Sequence, residues 1–296
     1  MKYVITGSLG NISKPLTQKL LAAGHTVTVI SSQESRKTEI EALGAKAAIG
    51  SVQDLTFLTQ TFTDADAVYT MVPPTFAAAD WKAYIGDTGK IYAQAIKASG
   101  VKHVVNLSSI GAHMPEGCGP VSGIYRAEQA LNTLSDVNII HLRPGNFYTN
   151  LYSNIGMIKH GGIIGGNYGA NTSIVFVHPK DIAEAAAEEL QALLFKGHSI
   201  RYVVSDERTT NDVAKVLGAA IGKPELPWID FKDEDNFAGM VNAGLPEEVA
   251  KNYVEMGKAV REGKMFEDYY AHKSSVKVSK TKLEEFAKEF AVAYNQ

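Results

Sequence analysis

The sequence contains very little cysteine. Cys118 is the only one among 296 residues, so no intrachain disulfide can form. Such sparing use of cysteine fits a reducing compartment. Apolar runs long enough to span a membrane are absent, and no signal peptide is recognisable, because a strand-like segment begins at Lys2. We therefore expect a cytoplasmic protein with no membrane partner.

Charge of one sign is not in excess either. The chain has 29 basic and 32 acidic residues, spread along its length, with a net charge of −3. This balance does not favour a nucleic-acid partner, which usually requires a basic patch. Apolar residues make up 45% of the chain, which suffices for one large α/β domain or for one domain with a smaller lobe.

Two common kinds of catalytic site are also missing. His, Cys and Asp residues do not cluster at metal-ligand spacing, so the sequence predicts no metal site. A Gly-x-Ser-x-Gly elbow is absent, which argues against a serine hydrolase of the α/β type. Cys118 lies between two glycines, and nothing in the sequence marks its thiol as activated.

What is present begins with the stretch Lys2–Ala23, which predicts a strand, a glycine turn and a helix. Gly7 and Gly10 allow a sharp turn and a close approach of the backbone to a ligand. The N-terminus of the following helix offers unpaired N–H groups to a pyrophosphate. Ser13 stands where the fingerprint has its third glycine. The stretch therefore predicts dinucleotide binding, whereas a turn that binds nothing is the plain alternative.

The first half of the chain alternates strand-like and helix-like segments as far as the strand Asn138–Leu142. This order predicts a doubly wound parallel Rossmann sheet, covered on both faces by helices. We predict that residues 1–146 form the Rossmann domain, completed by about 174–204. Residues 147–173 and 205–296 then form a smaller, interleaved C-terminal α/β lobe on the substrate side.

Local signals predict further details of the elements. Asp54 and Asp181 have the pattern of helix N-caps, and a helix is expected over Asp87–Ala98. The glycine pairs of the segment Gly161–Gly166 predict a flexible hairpin or lid.

Six segments in this order resemble the NmrA-like proteins, which are atypical members of the short-chain dehydrogenase/reductase superfamily. The segments are TGSLGNIS, MVPPTF, SSIGAH, GPVSGIYRAEQAL, LRPGNFYTN and FVHPKDIAEA. The resemblance covers nearly the whole chain. It implies a Rossmann fold with a small α/β lobe that binds NADP(H). The group includes reductases of quinones and other activated double bonds, and also regulators that bind the cofactor without turning it over.

The resemblance also implies which residues contact the cofactor. The predicted set on the glycine turn, beside the nucleotide and near the nicotinamide is Thr6, Gly7, Leu9, Gly10, Asn11, Ile12, Met71, Val72, Pro73, Ser108, Gly145, Asn146 and Phe147. For Met71 and Val72 a plain core role is the alternative.

The second strand favours NADP(H) over NAD(H). An acid that binds the ribose hydroxyls is expected about 20 residues past the glycines. Ser31 and Ser32 occupy that place, so no carboxylate would repel a 2′-phosphate. Arg36 and Lys37 follow closely and are predicted to meet that phosphate, although both can simply be solvated helix residues.

The catalytic residues of the superfamily are incomplete in this chain. Relatives use Ser and then Tyr-x-x-x-Lys, where the lysine cation lowers the pKa of the tyrosine. Here Gln129 stands four residues after Tyr125; with Glu128 and Leu131 as the anchor instead, Tyr125 itself falls near the lysine position of some relatives. In either register a lysine-activated tyrosine is absent.

Hydride addition to an acceptor needs only a hydrogen-bond donor near the oxygen that gains charge. We therefore predict reduction of an activated acceptor, with Tyr125 or His113 as the donor; a packing role for Tyr125 and a surface role for His113 are the alternatives. An aromatic lining is expected to suit a planar substrate such as a quinone, and its predicted members are Phe147, Tyr148, Tyr152 and Tyr168.

The second hypothesis is a non-catalytic sensor of the NADP(H) state that acts on a protein partner. The missing lysine motivates it. An isomerase or epimerase that retains its cofactor is a third, weaker option.

Overall fold

The computed structural model describes all 296 residues and places twelve strands and twelve α-helices in the chain. In chain order the strands are β1 (Lys2–Ile5), β2 (Thr26–Ser31), β3 (Lys46–Ile49), β4 (Ala67–Thr70), β5 (His103–Leu107), β6 (Asn138–Pro144), β7 (Asn146–Phe147), β8 (Ile164–Gly166), β9 (Ser173–Val177), β10 (His198–Val203), β11 (Asp206–Thr209) and β12 (Trp228–Asp230). The helices are α1 (Ser13–Ala22), α2 (Lys37–Ala42), α3 (Leu55–Phe62), α4 (Trp81–Ser99), α5 (Pro120–Leu131), α6 (Ile155–Gly161), α7 (Pro179–Ala192), α8 (Thr210–Ala220), α9 (Asp233–Asn242), α10 (Glu247–Arg261), α11 (Glu267–His272) and α12 (Leu283–Tyr294).

Seven strands form one parallel sheet in the order β10-β6-β5-β4-β1-β2-β3. The chain runs from β1 outward to β3 and then returns to the other side of β1 with β4. The strand order therefore reverses beside β1, and ligands of such sheets bind at the carboxyl ends of the strands at this reversal. The predicted doubly wound Rossmann sheet is confirmed.

Helices cover both faces of this sheet, and the side chains of β1 alternate between the two buried layers. Tyr3 and Ile5 belong to one buried cluster, which also contains residues of α1 and α7. Val4 points to the opposite cluster, which contains residues of α3, α4 and α5. Because successive side chains of a strand face opposite sides, one short apolar run serves both layers.

The remaining strands form two small sheets, and buried side chains of these sheets contribute to a third hydrophobic cluster. One has the order β11-β9-β7 and the other pairs β12 with β8. α8 and α12 pack together beside them. Within the segment predicted to complete the Rossmann domain, β10 joins the large sheet, whereas β9 pairs with β7 and β11. The division of the chain into domains itself stays a prediction.

Two of the local predictions were wrong. Gly161–Gly166 is not a hairpin: α6 ends there, Gly162 is a left-handed cap, and β8 pairs in parallel with β12. Asp181 does not cap α7; His178 does so, because its ring accepts the Lys180 N–H at 3.0 Å. The Asp181 carboxylate instead accepts the Ser205 hydroxyl at 2.8 Å.

Two other helix starts are explained by aspartate side chains that cap them. Asp54 caps α3 as predicted, since its carboxylate accepts the Phe57 N–H at 3.0 Å. α4 begins at Trp81, earlier than the predicted Asp87, because the Asp80 carboxylate caps it through the Ala83 N–H at 2.8 Å. None of the helices combines the length and the apolar character that crossing a membrane requires.

Candidate functional site

A cleft of about 260 Å³ lies at the carboxyl ends of β1 and β2, beside the strand reversal. Its walls come from the glycine turn and from the segment after β2. The lining residues are Gly7, Ser8, Leu9, Gly10, Ser31, Ser32, Gln33 and Arg36. The structure therefore brings the predicted turn residues together with Ser32 and Arg36.

The turn has its shape because of two small residues. Gly7 has a φ of 88°, which favours glycine, and a Cβ there would stand 2.6 Å from the Ser13 Oγ. Ser13 is buried and donates its hydroxyl to the Thr6 carbonyl at 2.8 Å. The serine in place of the third glycine thus pins α1 to the end of β1.

The same turn presents unused N–H groups. The backbone amides of Leu9, Asn11 and Ile12 donate to no acceptor in the chain. They lie at the N-terminus of α1, where the helix dipole adds partial positive charge. Such amides suit a diphosphate, so the turn fits the pyrophosphate of a dinucleotide.

Thr6 joins the turn to the end of β4. Its hydroxyl oxygen accepts the Met71 N–H at 2.8 Å, and the Met71 carbonyl accepts the Tyr92 hydroxyl at 2.7 Å. The side chains of Met71 and Val72 pack against the buried clusters on opposite faces of the sheet. Pro73 is partly exposed directly after them. The packing of the two side chains fits the alternative core role, and the predicted contact of this segment with the cofactor stays a prediction.

Arg36 lines the cleft, and Lys37 does not. The Arg36 guanidinium pairs with Glu39 at 2.8 Å, and Lys14 pairs with the same carboxylate at 3.1 Å. Hydrogen bonds from Arg36 and Lys14 hold the pKa of Glu39 below its usual value. The Arg36 side chain is about half exposed, and its one hydrogen bond within the chain is to Glu39, so the guanidinium has N–H groups free to bind a ligand.

The predicted nicotinamide residues follow β5 and β6. A Cβ on Gly145 would stand 2.7 Å from the Val175 carbonyl oxygen, so this glycine lets the chain pass close to β9. Asn146 and Phe147 form the short strand β7 and are partly exposed. Their contact with a nicotinamide ring stays a prediction.

Ser108 belongs to a buried ionic network that the sequence analysis did not find. It donates its hydroxyl to Glu128, which is 1% exposed. Arg143 donates to both oxygens of that carboxylate, from Nε at 3.0 Å and from Nη2 at 2.6 Å. Arg143 Nη1 donates to Asp268 of α11 at 2.9 Å. The network therefore connects the end of β5 to the C-terminal part of the chain.

Electrostatics favour the ionised forms of Arg143 and Asp268 in this network. Burial would lower the pKa of Arg143, but the hydrogen bonds and the charge of Glu128 raise it above its usual value. Burial would raise the pKa of Asp268, but the Tyr202 hydroxyl and the Arg143 charge hold it below its usual value. A signal did exist in the sequence. Glu128 shares a helix face with Val121, Ile124 and Leu131, where a charge needs a buried partner.

The two candidate proton donors have different surroundings. Tyr125 on α5 is partly exposed and makes no hydrogen bond within the chain. His113 lies near Asp268, and both of its ring nitrogens are buried with no partner in the chain. Gln129, at the lysine position of one register, is exposed.

The predicted aromatic lining is wrong for Tyr148. Tyr148 is fully buried and stacks on Phe176 and Phe286, with 5.3 Å between ring centroids in each pair. Tyr152 and Tyr168 are partly buried and pack against the same cluster. Burial raises the pKa of Tyr168 to about 12.

Other reactive groups are accounted for. Cys118 is buried, and burial raises the pKa of its thiol to about 12, which leaves it protonated and inert. The chain brings no three His, Cys, Asp or Glu side chains together in a way that could hold a metal ion.

Comparison with known proteins agrees with this geometry. The chain is 24% identical over 265 residues to a (4-alkanoyl-5-oxo-2,5-dihydrofuran-3-yl)methyl phosphate reductase of Streptomyces griseus, covering 88% of this chain and 87% of that protein. It is 24% identical over 250 residues to an NAD(P)H azoreductase of Xenophilus azovorans, covering 83% of each. A solved NADPH-dependent quinone oxidoreductase of Escherichia coli, complexed with NADPH, superposes with a TM-score of 0.83 at 19% identity, covering 97% of this chain and 99% of that one.

Residues 7–193 match the family described as NAD(P)H-binding, and this match includes the glycine turn, the cleft residues and three members of the buried network, Ser108, Glu128 and Arg143. The prediction of a nicotinamide dinucleotide cofactor is thereby confirmed. The chain is a member of the NAD(P)H-binding family, and its fold is that of the solved quinone oxidoreductase.

Proposed function

We propose that this protein is an NADPH-dependent reductase of a quinone or a similarly activated acceptor. The observation that carries the proposal is the state of Ser108. Its only hydroxyl hydrogen is given to the Glu128 carboxylate, and no lysine stands beside Tyr125. Alcohol oxidation needs a base, which this arrangement does not offer. Reduction of an acceptor that is already electrophilic does not need one. Two relatives that are similar over most of their length are named as reductases.

The amides of the glycine turn would hold the diphosphate of the cofactor, which would supply a hydride when bound. The acceptor would take up this hydride, which carries two electrons, and its oxygen would take up a proton. Tyr125 or His113 donates it, and the partly exposed Tyr125 can be reprotonated from solvent. Either side chain can also give a hydrogen bond to the oxygen that gains charge.

The turnover experiment follows NADPH absorbance with a panel of quinones and an azo dye. We expect saturable oxidation of NADPH with at least one quinone. Replacement of the true donor, by Tyr125→Phe or His113→Gln, should lower kcat by about a hundredfold, the scale of general acid catalysis, with KM little changed. Absence of turnover across the whole panel would contradict the proposal.

Preference for NADPH rests on Arg36. Arg36→Ala should weaken NADPH binding by about tenfold or more, because a charge-assisted hydrogen bond to the 2′-phosphate is lost. NADH binding should hardly change. Titration of both cofactors measures the two effects. Lys37→Ala is the matched control, since Lys37 lies outside the cleft beside Glu34 at 4.0 Å. Equal losses for NADPH and NADH in Arg36→Ala would contradict this assignment.

The sensor hypothesis is the second candidate, favoured by the exposed Gln129 in place of a lysine. A regulator must bind NADPH and NADP⁺ with different affinities, because a ligand with equal affinity for two conformations shifts neither. Titration of both forms, with a pull-down of protein partners in each state, tests it. Equal affinities with quinone turnover would reject the sensor in favour of the reductase.

A further inference from the structure

The hydrogen-bond direction at Ser108 is fixed by its partners. Arg143 holds both oxygens of Glu128 in a two-point pair, at 3.0 Å and 2.6 Å. An ionised carboxylate can only accept hydrogen bonds. Ser108 must therefore donate its single hydroxyl hydrogen to Glu128.

This arrangement leaves Ser108 Oγ as a pure acceptor. A hydroxyl has one hydrogen and two lone pairs. The hydrogen is committed to Glu128, and no group of the chain donates to the Ser108 oxygen. A ligand at this position can use Ser108 only by donating a hydrogen to it.

The place of Ser108 in the sheet identifies the ligand group. Ser108 follows β5, which pairs with β4, and β4 pairs with β1. β5 lies two strand spacings, each of about 4.8 Å, from the diphosphate turn. A nicotinamide riboside is long enough to span this distance. The proposed function places the 2′-phosphate, and with it the adenosine half, on the other side, in the cleft lined by Ser32 and Arg36. This position of the nicotinamide rests on the proposed function, in which the diphosphate lies on the glycine turn and the 2′-phosphate at Arg36.

We propose that Glu128 and Arg143 are positioning residues that make Ser108 the acceptor for the carboxamide N–H₂ of the nicotinamide. That amide is the only hydrogen-bond donor on the nicotinamide ring, so the acceptor fixes the rotation of the ring over β5. Asp268 and Tyr202 complete the device. The Asp268 carboxylate accepts a hydrogen bond from Arg143 Nη1 at 2.9 Å and another from the Tyr202 hydroxyl. The orientation of the cofactor thus depends on α11 of the C-terminal segment.

The test uses a cofactor analogue that lacks this donor. In 3-acetylpyridine adenine dinucleotide phosphate a methyl ketone replaces the carboxamide, which keeps the carbonyl and removes the N–H₂. The wild-type protein should bind NADP⁺ about tenfold more tightly than the analogue, because the analogue leaves the Ser108 oxygen without a partner. In Ser108→Ala the ratio of the two Kd values should fall to about one.

Glu128→Gln tests the positioning role. The Gln amide can donate to the Ser108 oxygen, so the Ser108 hydrogen becomes free to point at the ligand. The carbonyl common to both ligands then accepts it, and the ratio should again approach one. Affinity for 2′,5′-ADP, which lacks the nicotinamide half, should stay unchanged in every variant. If Glu128→Gln does not fold, Ser108→Ala carries the test alone.

Ser109→Ala is the matched control. Ser109 is the neighbouring serine, but it donates to the Ile110 carbonyl at 2.8 Å and belongs to no ionic network. Its variant should keep the wild-type ratio. A wild-type ratio of one, or a ratio preserved in Ser108→Ala, would overturn the inference. The ratio is measured without turnover, so a failed quinone assay with an intact ratio rejects the reductase and supports this inference. Quinone turnover by a wild-type protein whose ratio is one supports the reductase and rejects this inference.

Discussion

Gly7→Ala should weaken binding of NADPH and of NADH alike by about a hundredfold or more, because the diphosphate site itself is distorted. Gly7 has a φ of 88°, and its added Cβ would stand 2.6 Å from Ser13 Oγ and 3.0 Å from the Met71 side chain. The Ser13 hydroxyl would leave the Thr6 carbonyl, and the turn would move away from α1. Titration with either cofactor measures the loss.

Gly24→Ala is the control that separates the effect on cofactor affinity from the effect of backbone strain on stability. Gly24 also has a positive φ, of 80°, but nothing lies within 4 Å of the Cβ position. Both variants carry the same conformational strain, so Gly24→Ala should lose stability without losing affinity. Cofactor binding by Gly7→Ala at wild-type strength would contradict the assignment of the turn.

Glu128→Ala should lower the free energy of unfolding by about 3–5 kcal/mol, the usual cost of removing one partner of a buried ion pair. Arg143 would keep Asp268 but lose both bonds to the Glu128 carboxylate, and Ser108 would lose its acceptor. Unfolding by urea, followed by circular dichroism, measures the change.

The comparison variant is Glu116→Ala. Glu116 also pairs with an arginine, at 2.5 Å from Arg126, but its side chain is 63% exposed. Removing this surface pair should cost about 0–1 kcal/mol, because solvent screens it. Equal losses in the two variants would show that burial does not set the strength of the Glu128 pair.

The glycine turn could be predicted because its cause is local. A strand, two glycines and an amphipathic helix within Lys2–Ala23 determine the shape of the site, and the cleft indeed joins this turn to Ser32 and Arg36. The doubly wound parallel sheet could also be predicted, since alternation of strands and helices allows few parallel topologies. Even Ser13, an apparent departure from the fingerprint, has a local reason in its bond to Thr6.

The partners of Glu128 in the Ser108 network could not be predicted because the members of the network are distant in sequence. Arg143 and Asp268 are separated by 125 positions, and only the tertiary fold brings them together. The local errors have the same origin. Asp181 has the sequence of a helix cap, but Ser205 and Thr281 bind its carboxylate in the folded chain. Gly165 lies beside the Ile229 carbonyl, a contact that makes this glycine part of a parallel strand pair rather than of a hairpin.

One titration tests the central claim, that the turn at Gly7 holds the diphosphate of NADPH with the adenosine half toward Arg36. NADPH fluorescence is followed while the purified protein is added, and 2′,5′-ADP is then added as a competitor. The account predicts saturable binding at one site per chain, full displacement by 2′,5′-ADP, and much weaker displacement by 5′-ADP, which lacks the 2′-phosphate. No saturable binding, or binding that neither nucleotide displaces, would contradict it.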